Sequence, residues 1–144
     1  MDENTILHKL IDLIQYKDTY QQQSAGIGPR DMYVLGRILF HKTVRVRDLT
    51  KNYGIPPSTL TGILDRLERR QYIRRIRKDD DRRAIELAVT DAGNAVLQGH
   101  IREDKIFARN LFYTLPPEQC RQLLCLLDEL LSRVSKEDLF HEGK

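Results

Sequence analysis

The chain has 144 residues, 40% of them hydrophobic and 31% charged, with a formal net charge of +3. That length suits one domain with a sizeable core. No apolar run approaches the roughly 18 residues of a membrane span, and the acidic, amphipathic start MDENTILHKLIDL lacks the basic-then-apolar order of a signal peptide, so a cytoplasmic protein without a membrane partner is expected.

From Thr5 to about Gln23, the spacing of Ile6, Leu7, Leu10, Ile11 and Ile14 predicts an amphipathic helix, its first turn made acidic by Asp2 and Glu3 as the helix dipole favours. SAGIGP breaks it. Gly28 and Pro29 then start a second helix that runs to about Phe40 and is expected to bury Tyr33, Val34, Ile38 and Leu39. After His41-Lys42-Thr43, the segment Val44-Arg45-Val46 suffices for a short strand that could join a later hairpin as its third member. A short helix from Asp48 to Tyr53 is stopped by Gly54, whose tolerance of positive φ suits a helix end. Leu49, Ile55 and Leu60 are expected to pack at the elbow between this helix and the next.

The stretch from Ile55 to Thr90 carries the functional signal. Pro57 fits a first helical position, and Leu60, Ile63, Leu64 and Leu67 recur at helical spacing on one face. The opposite face presents Ser58, Thr59, Thr61, Gly62, Asp65, Arg66 and Arg69. Its small hydroxyl-bearing start can approach base edges closely, since Ser and Thr bond to any base and a Thr methyl can touch a thymine methyl; the same residues also serve as ordinary helix starters. Tyr72 to Arg77 reads as a strand, Lys78 to Arg83 as a polar turn, and Ala84 to Val89 as a returning strand in which Ile85, Leu87 and Val89 alternate. Between Arg66 and Arg83 stand nine basic residues and four acidic ones, a net of +5, so the rest of the chain sums to −2. Positive charge is thus focused on this helix and hairpin, as on a surface that neutralises phosphates.

Beyond the hairpin, Thr90 caps a long helix to about Tyr113, Leu115-Pro116-Pro117 interrupts, and a last helix runs from Glu118 to about Ser135. The apolar residues of that last helix spread over about 160° of its surface at 100° per residue. Together with the first helix this is more apolar surface than one chain readily covers, which implies a homodimer formed by the terminal helices.

No arrangement for catalysis emerges. The glycines have no phosphate-cradle spacing, the four histidines are scattered without a metal-binding pair, and no nucleophile with a base can be picked out, so neither an enzyme nor a cofactor is expected. His100 with Glu103 and Asp104 shares a helix face, which is more often surface decoration than a metal site. Cys120 and Cys125, five residues apart on one helix, point about 140° away from each other and cannot bridge.

Asp81-Arg82-Arg83 followed by Leu87-Ala88-Val89-Thr90 and Gly93 resembles the wing signature of the MarR family, an Asp-x-Arg with a Thr seven residues after the Arg. PSTLTGILDRLERR, from Pro57 to Arg70, is similar to that family's recognition helix. The resemblance covers essentially the whole chain and implies a mainly α fold with a small β-wing (α+β), a winged helix-turn-helix with N- and C-terminal dimerisation helices. The whole of 1–144 would be a single MarR-type domain, with 30–90 the DNA-binding part and 1–25 and 91–144 the dimerisation helices. Carried over, Ser58, Thr59, Thr61 and Arg66 would face the major groove of double-stranded DNA, and Arg83 would enter the minor groove braced by Asp81. Gly62, Arg69, Arg74, Lys78 and Arg82 complete the expected DNA-binding set. Pro56, where the family often has a capping Ser, and Gln71, where a Gly usually ends the helix, depart from the pattern. The resemblance also implies regulation by a small anionic aromatic effector between the dimerisation helices and the reading part, for which Tyr16, Tyr20, Arg30, Met32, Tyr33 and Phe40 are candidate lining residues. A redox- or metal-responsive DNA-binding sensor and a winged-helix module that binds protein are the alternative readings.

Overall fold

In the computed structural model, residues 1–78 and 81–143 are described, the side chains of residues 78 and 81–84 excepted. The chain divides into two compact units, Met1–Asp104 and Lys105–Lys144.

The first unit opens with α1 (Glu3–Ala25), whose N-cap Asp2 accepts a hydrogen bond from the Thr5 amide at 2.7 Å. That bond holds the Asp2 carboxyl below its ordinary pKa. Gly26 ends the helix at φ 77, and its N–H donates to the Gln22 carbonyl. Next come α2 (Pro29–Phe40), β1 (Thr43–Arg45), α3 (Val46–Tyr53), α4 (Pro57–Arg69), β2 (Ile73–Lys78), β3 (Asp81–Val89) and α5 (Asp91–Phe112), whose residues from Lys105 on belong to the second unit. The helix and strand order follows the expectation from sequence, and Gly54 closes α3 at φ 64 as its position implied. The strands form an antiparallel sheet in the order β1-β3-β2, so the short 43–45 segment does join the hairpin, across β3 and not beside β2.

Two expectations need correcting. The polar turn is shorter than Lys78 to Arg83: Lys78 closes β2 opposite Asp81, which already opens β3, after a register shift at Arg77/Lys78. The shift leaves three extra residues, 82–84, on β3 and lets the ladder continue toward the tip. Residues 79 and 80 lie outside the described residues. In α2 the buried stripe is Asp31, Met32, Val34, Leu35 and Ile38, whereas Tyr33 is exposed. Tyr33 lies off that stripe by the 100° step of the helix and meets Tyr53 of α3 edge to face, centroids 6.3 Å apart.

The core is where these elements converge. Leu60, Ile63, Leu64 and Leu67 of α4 are buried with Val34, Leu35 and Ile38 of α2, Leu49 of α3, Val44 and Leu87 of the sheet and Leu97 of α5. The apolar face of α4 is therefore fixed from several sides, and its polar face is presented outward. The C-terminus of α4 has the geometry of a Schellman cap: Gln71 N–H donates to the Glu68 carbonyl and Tyr72 N–H to that of Leu67, both at 2.9 Å. The motif requires a left-handed residue at Gln71, and φ there is 62. This explains why a glycine is the usual occupant. The Thr90 hydroxyl then donates to the Gln71 carbonyl and accepts from the Gly93 amide, so one side chain joins the end of α4 to the start of α5.

In the second unit, α6 (Pro117–Arg133) follows a proline N-cap, Pro116. Cys120 is buried and Cys125 exposed, and both are free thiols. Among the described residues no helix is long and apolar enough to cross a membrane.

Candidate nucleic-acid interface

The exposed face of α4 begins with Ser58 and Thr61, while Thr59 and Gly62 are half-buried at its edges. The Thr61 hydroxyl donates to the Pro57 carbonyl at 2.9 Å, and its oxygen keeps lone pairs with which to accept. At the opposite end of the helix Arg69 is exposed, as is Arg74 on β2. Arg66 behaves differently. Its Nε and one Nη donate to the two carboxylate oxygens of Asp31, each at 2.9 Å, a bidentate pair between α4 and the first turn of α2. The Asp31 side chain is 6% exposed and that of Arg66 52%. The hydrogen bond, and then the charge of Asp31, hold the guanidinium's pKa above its ordinary value. Arg66 is thus anchored at the flank of α4. The backbone of Lys78, Asp81, Arg82 and Arg83 belongs to the hairpin strands, and their side chains lie outside the described residues.

A second arginine ties wing to helix. Arg75 on β2 donates through Nη to Asp65 at 3.1 Å and through Nε to Glu68 at 2.9 Å. Two carboxylates on the outer side of α4 would repel a phosphate backbone; pairing them with Arg75 reduces that repulsion and aligns the hairpin with the helix.

Beside α4, a groove of about 740 Å³ lies between α3, α4 and the sheet, lined by Arg45, Arg47, Lys51, Thr61 and Arg75 among others. Arg45, Arg47 and Lys51 were absent from the set expected from sequence, although Arg47 and Lys51 stand four apart on α3 and so share a face. Asp31 was missed as well, and an acidic residue in a helix's first turn gives no hint of a partner 35 positions away. Of the candidate effector residues, Arg30 and Tyr33 share a cavity of about 440 Å³ with Thr59 and Ile63. Met32 is in the core, and Tyr16, Tyr20 and Phe40 are exposed. His100 pairs with Asp104 at 3.3 Å, and Asp104 also takes Lys17 at 2.6 Å, so this acid serves an ion pair between α1 and α5. Among the described residues no cluster suited to a metal ion occurs.

Comparison with known proteins decides the family. Residues 29–85 match the MarR family model. The uncharacterized HTH-type transcriptional regulator YpoP of Bacillus subtilis (strain 168) is 32% identical over 112 residues, 75% of this chain and 74% of that protein. The chain belongs to the MarR family. The HTH-type transcriptional repressor MdtR of the same organism is 29% identical over 113 residues, covering 78% of this chain and 73% of MdtR. Among solved structures, a mutant of S. aureus MepR bound to an oligodeoxyribonucleotide superimposes with a TM-score of 0.70 at 20% identity, over 94% of this chain and 100% of that one. As a MarR-family protein this chain is a DNA-binding transcription regulator and not an enzyme, and its fold is the mainly helical winged helix that the wing signature implied. Within the family pattern, Gln71 is a tolerated departure, because the Schellman hydrogen bonds form around it. Pro56 is another: α4 starts from it with no side-chain cap.

Proposed function

We propose that this MarR-family regulator works as a homodimeric repressor, with two α4 helices entering successive major grooves of a pseudo-palindromic operator about 10 base pairs apart. The observation that carries this reading is the outward face of α4, small and hydroxyl-bearing at Ser58 and Thr61, with the basic groove of Arg45, Arg47 and Lys51 alongside. Small residues admit base edges, and the flanking cations neutralise phosphates. The wing adds backbone and minor-groove contacts through Arg74, Lys78, Arg82 and Arg83, the last braced by Asp81. Arg66 acts at the flank of the helix with its orientation set by Asp31, and Arg69 contributes to the phosphate contacts.

Dimerisation is supported by unpartnered apolar surface. Ile6, Leu7, Leu10, Ile11 and Ile14 of α1 are each 40–52% exposed, and Leu126, Leu130 and Leu131 of α6 are more exposed still. Side chains of this kind are stable in water when a second copy covers them. The division of labour is then a DNA-binding part at 30–90 with terminal helices, 1–25 and 91–144, that assemble. A small anionic aromatic effector would release DNA to the extent that it prefers a different separation of the two reading helices; the Arg30 and Tyr33 cavity is the described site that suits it best. The protein would act in the cytoplasm.

Selection from random duplex DNA followed by sedimentation tests the reading. A palindromic motif bound by a two-chain species, with affinity falling steeply as salt rises, is the expected result. A lone subunit in solution, or indifference to duplex DNA at low ionic strength, would overturn it.

A further inference from the structure

On the side of α4 away from the basic groove, a cavity of about 580 Å³ lies where the end of α1, the start of α2 and the end of α4 meet. Three arginines line it: Arg66, Arg69 and Arg70. Asp31 is the acid that faces them, and both of its oxygens are taken by Arg66. Among the described residues neither Arg69 nor Arg70 has a carboxylate within ion-pair distance, and the wall around them is otherwise neutral, made of the Gln22 amide and the 26–28 linker. The Arg70 guanidinium lies against the linker: a Cβ built on Gly26 would stand 2.8 Å from an Arg70 Nη. Gly26 itself has φ +77, a left-handed conformation that favours glycine.

We infer that this cavity is a binding site for a small oxyanion carrying two or more charges, gripped by Arg69 and Arg70. Two adjacent residues on a helix project about 100° apart, so their planar forks approach a central anion from two directions and can each engage it bidentately. A single carboxylate would satisfy one fork and leave the other charged, which selects for phosphate-like groups or compounds with paired carboxylates. Asp31 does not cancel the site, because its charge is already paired with Arg66. An anion seated here joins α4 to the linker that leads into α2, and so reaches the reading helix from its inner end. The same chemistry would be met by a free metabolite-sized anion or by a phosphate of the DNA backbone.

The test is isothermal titration of the full chain with inorganic pyrophosphate in metal-free, low-salt buffer. Saturable binding of one anion per chain is expected, weakened about tenfold or more by Arg69→Gln with Arg70→Gln, and little changed by Arg47→Gln with Lys51→Gln on the opposite side of α4. Circular dichroism and melting check the fold; should the double variant unfold, Arg70→Gln alone is expected to weaken binding severalfold. A titration without saturation, or one that responds to the Arg47 and Lys51 changes and ignores those at Arg69 and Arg70, overturns the inference. The source of the anion separates in two further arms. If a backbone phosphate is the natural occupant, saturating duplex abolishes pyrophosphate binding and Arg70→Gln lowers the salt dependence of DNA affinity by about one ion. If a free anion is, pyrophosphate binds the DNA complex and that slope is unchanged. Pyrophosphate binding is read without DNA, so failure of the operator reading would not remove it.

Discussion

Cutting the Asp31–Arg66 pair from either side should not cost the same, because its two members are buried unequally. Arg66→Met removes the cation and leaves a carboxylate that is 6% exposed without its two 2.9 Å donors. Breaking a buried pair in this way costs about 3–5 kcal/mol; the half-exposed geometry on the Arg66 side and the dipole of α2, whose first turn holds Asp31, bring the expected loss to about 3 kcal/mol. Asp31→Asn keeps one acceptor for the guanidinium, and Arg66, with 52% of its side chain exposed, can turn to water for the rest. That change should cost about 1–2 kcal/mol, at the low end for a charge-assisted hydrogen bond because the exposed guanidinium is rehydrated. The double variant should be more stable than the sum of the two losses predicts, with a coupling of about 1 kcal/mol or more. Urea unfolding of the four proteins at one chain concentration measures all of this. In a thermal scan Arg66→Met should lower Tm by on the order of 10 °C at about 2–4 °C per kcal/mol. Equal losses for the two single variants, or a loss below about 0.5 kcal/mol for Arg66→Met, would show that the pair behaves as an ordinary surface ion pair and would remove the anchoring role assigned to Asp31.

Gln71→Gly should stabilise the chain by about 0.5–1 kcal/mol, because relief of the left-handed strain outweighs the added freedom of the unfolded glycine; a lower urea midpoint would contradict the cap geometry. Gly93→Ala should cost about 3 kcal/mol or more, since its Cβ would lie 2.1 Å from the Tyr72 carbonyl oxygen, a backbone atom that cannot swing aside. A variant that unfolds at the wild-type midpoint would refute that contact. Arg83→Ala should weaken binding to operator and unrelated duplex alike by about 1–3 kcal/mol, and an unchanged gel-shift titration would remove the wing from the interface. Burial opposes ionisation of Asp104, but hydrogen bonds from Lys17 and Gln21 and the nearby charges of His100 and Lys17 together hold its carboxyl below the ordinary value. A depressed folded pKa gives stability that is present above the unfolded value of about 3.9 and is lost as pH falls through the folded one. The advantage of wild type over Asp104→Asn in urea should therefore be full at about pH 6 and shrink below about pH 4, and a gap independent of pH would argue against the pairing.

Much of this protein is visible in one dimension because its signals are local. The stripe Leu60, Ile63, Leu64 and Leu67 repeats with the period of a helix, Gly54 marks a stop that only a backbone of positive φ can make, and the Asp81 to Thr90 spacing marks a wing. Each depends on residues a few positions apart, so the order of elements and the outward face of α4 follow from pattern. The inward neighbours do not. Tyr33 looked like a core residue until the packing of α2 set which side of that helix is covered. Arg66 looked like a free reader of bases until a carboxylate 35 residues earlier was brought within 2.9 Å of it. The cavity of Arg66, Arg69 and Arg70 exists because three separate helix ends converge, and no stretch of sequence contains that meeting point. Periodicity decides which residues a helix can hide; long-range folding decides which charges find one another, since an ion pair needs proximity in space and places no demand on spacing along the chain.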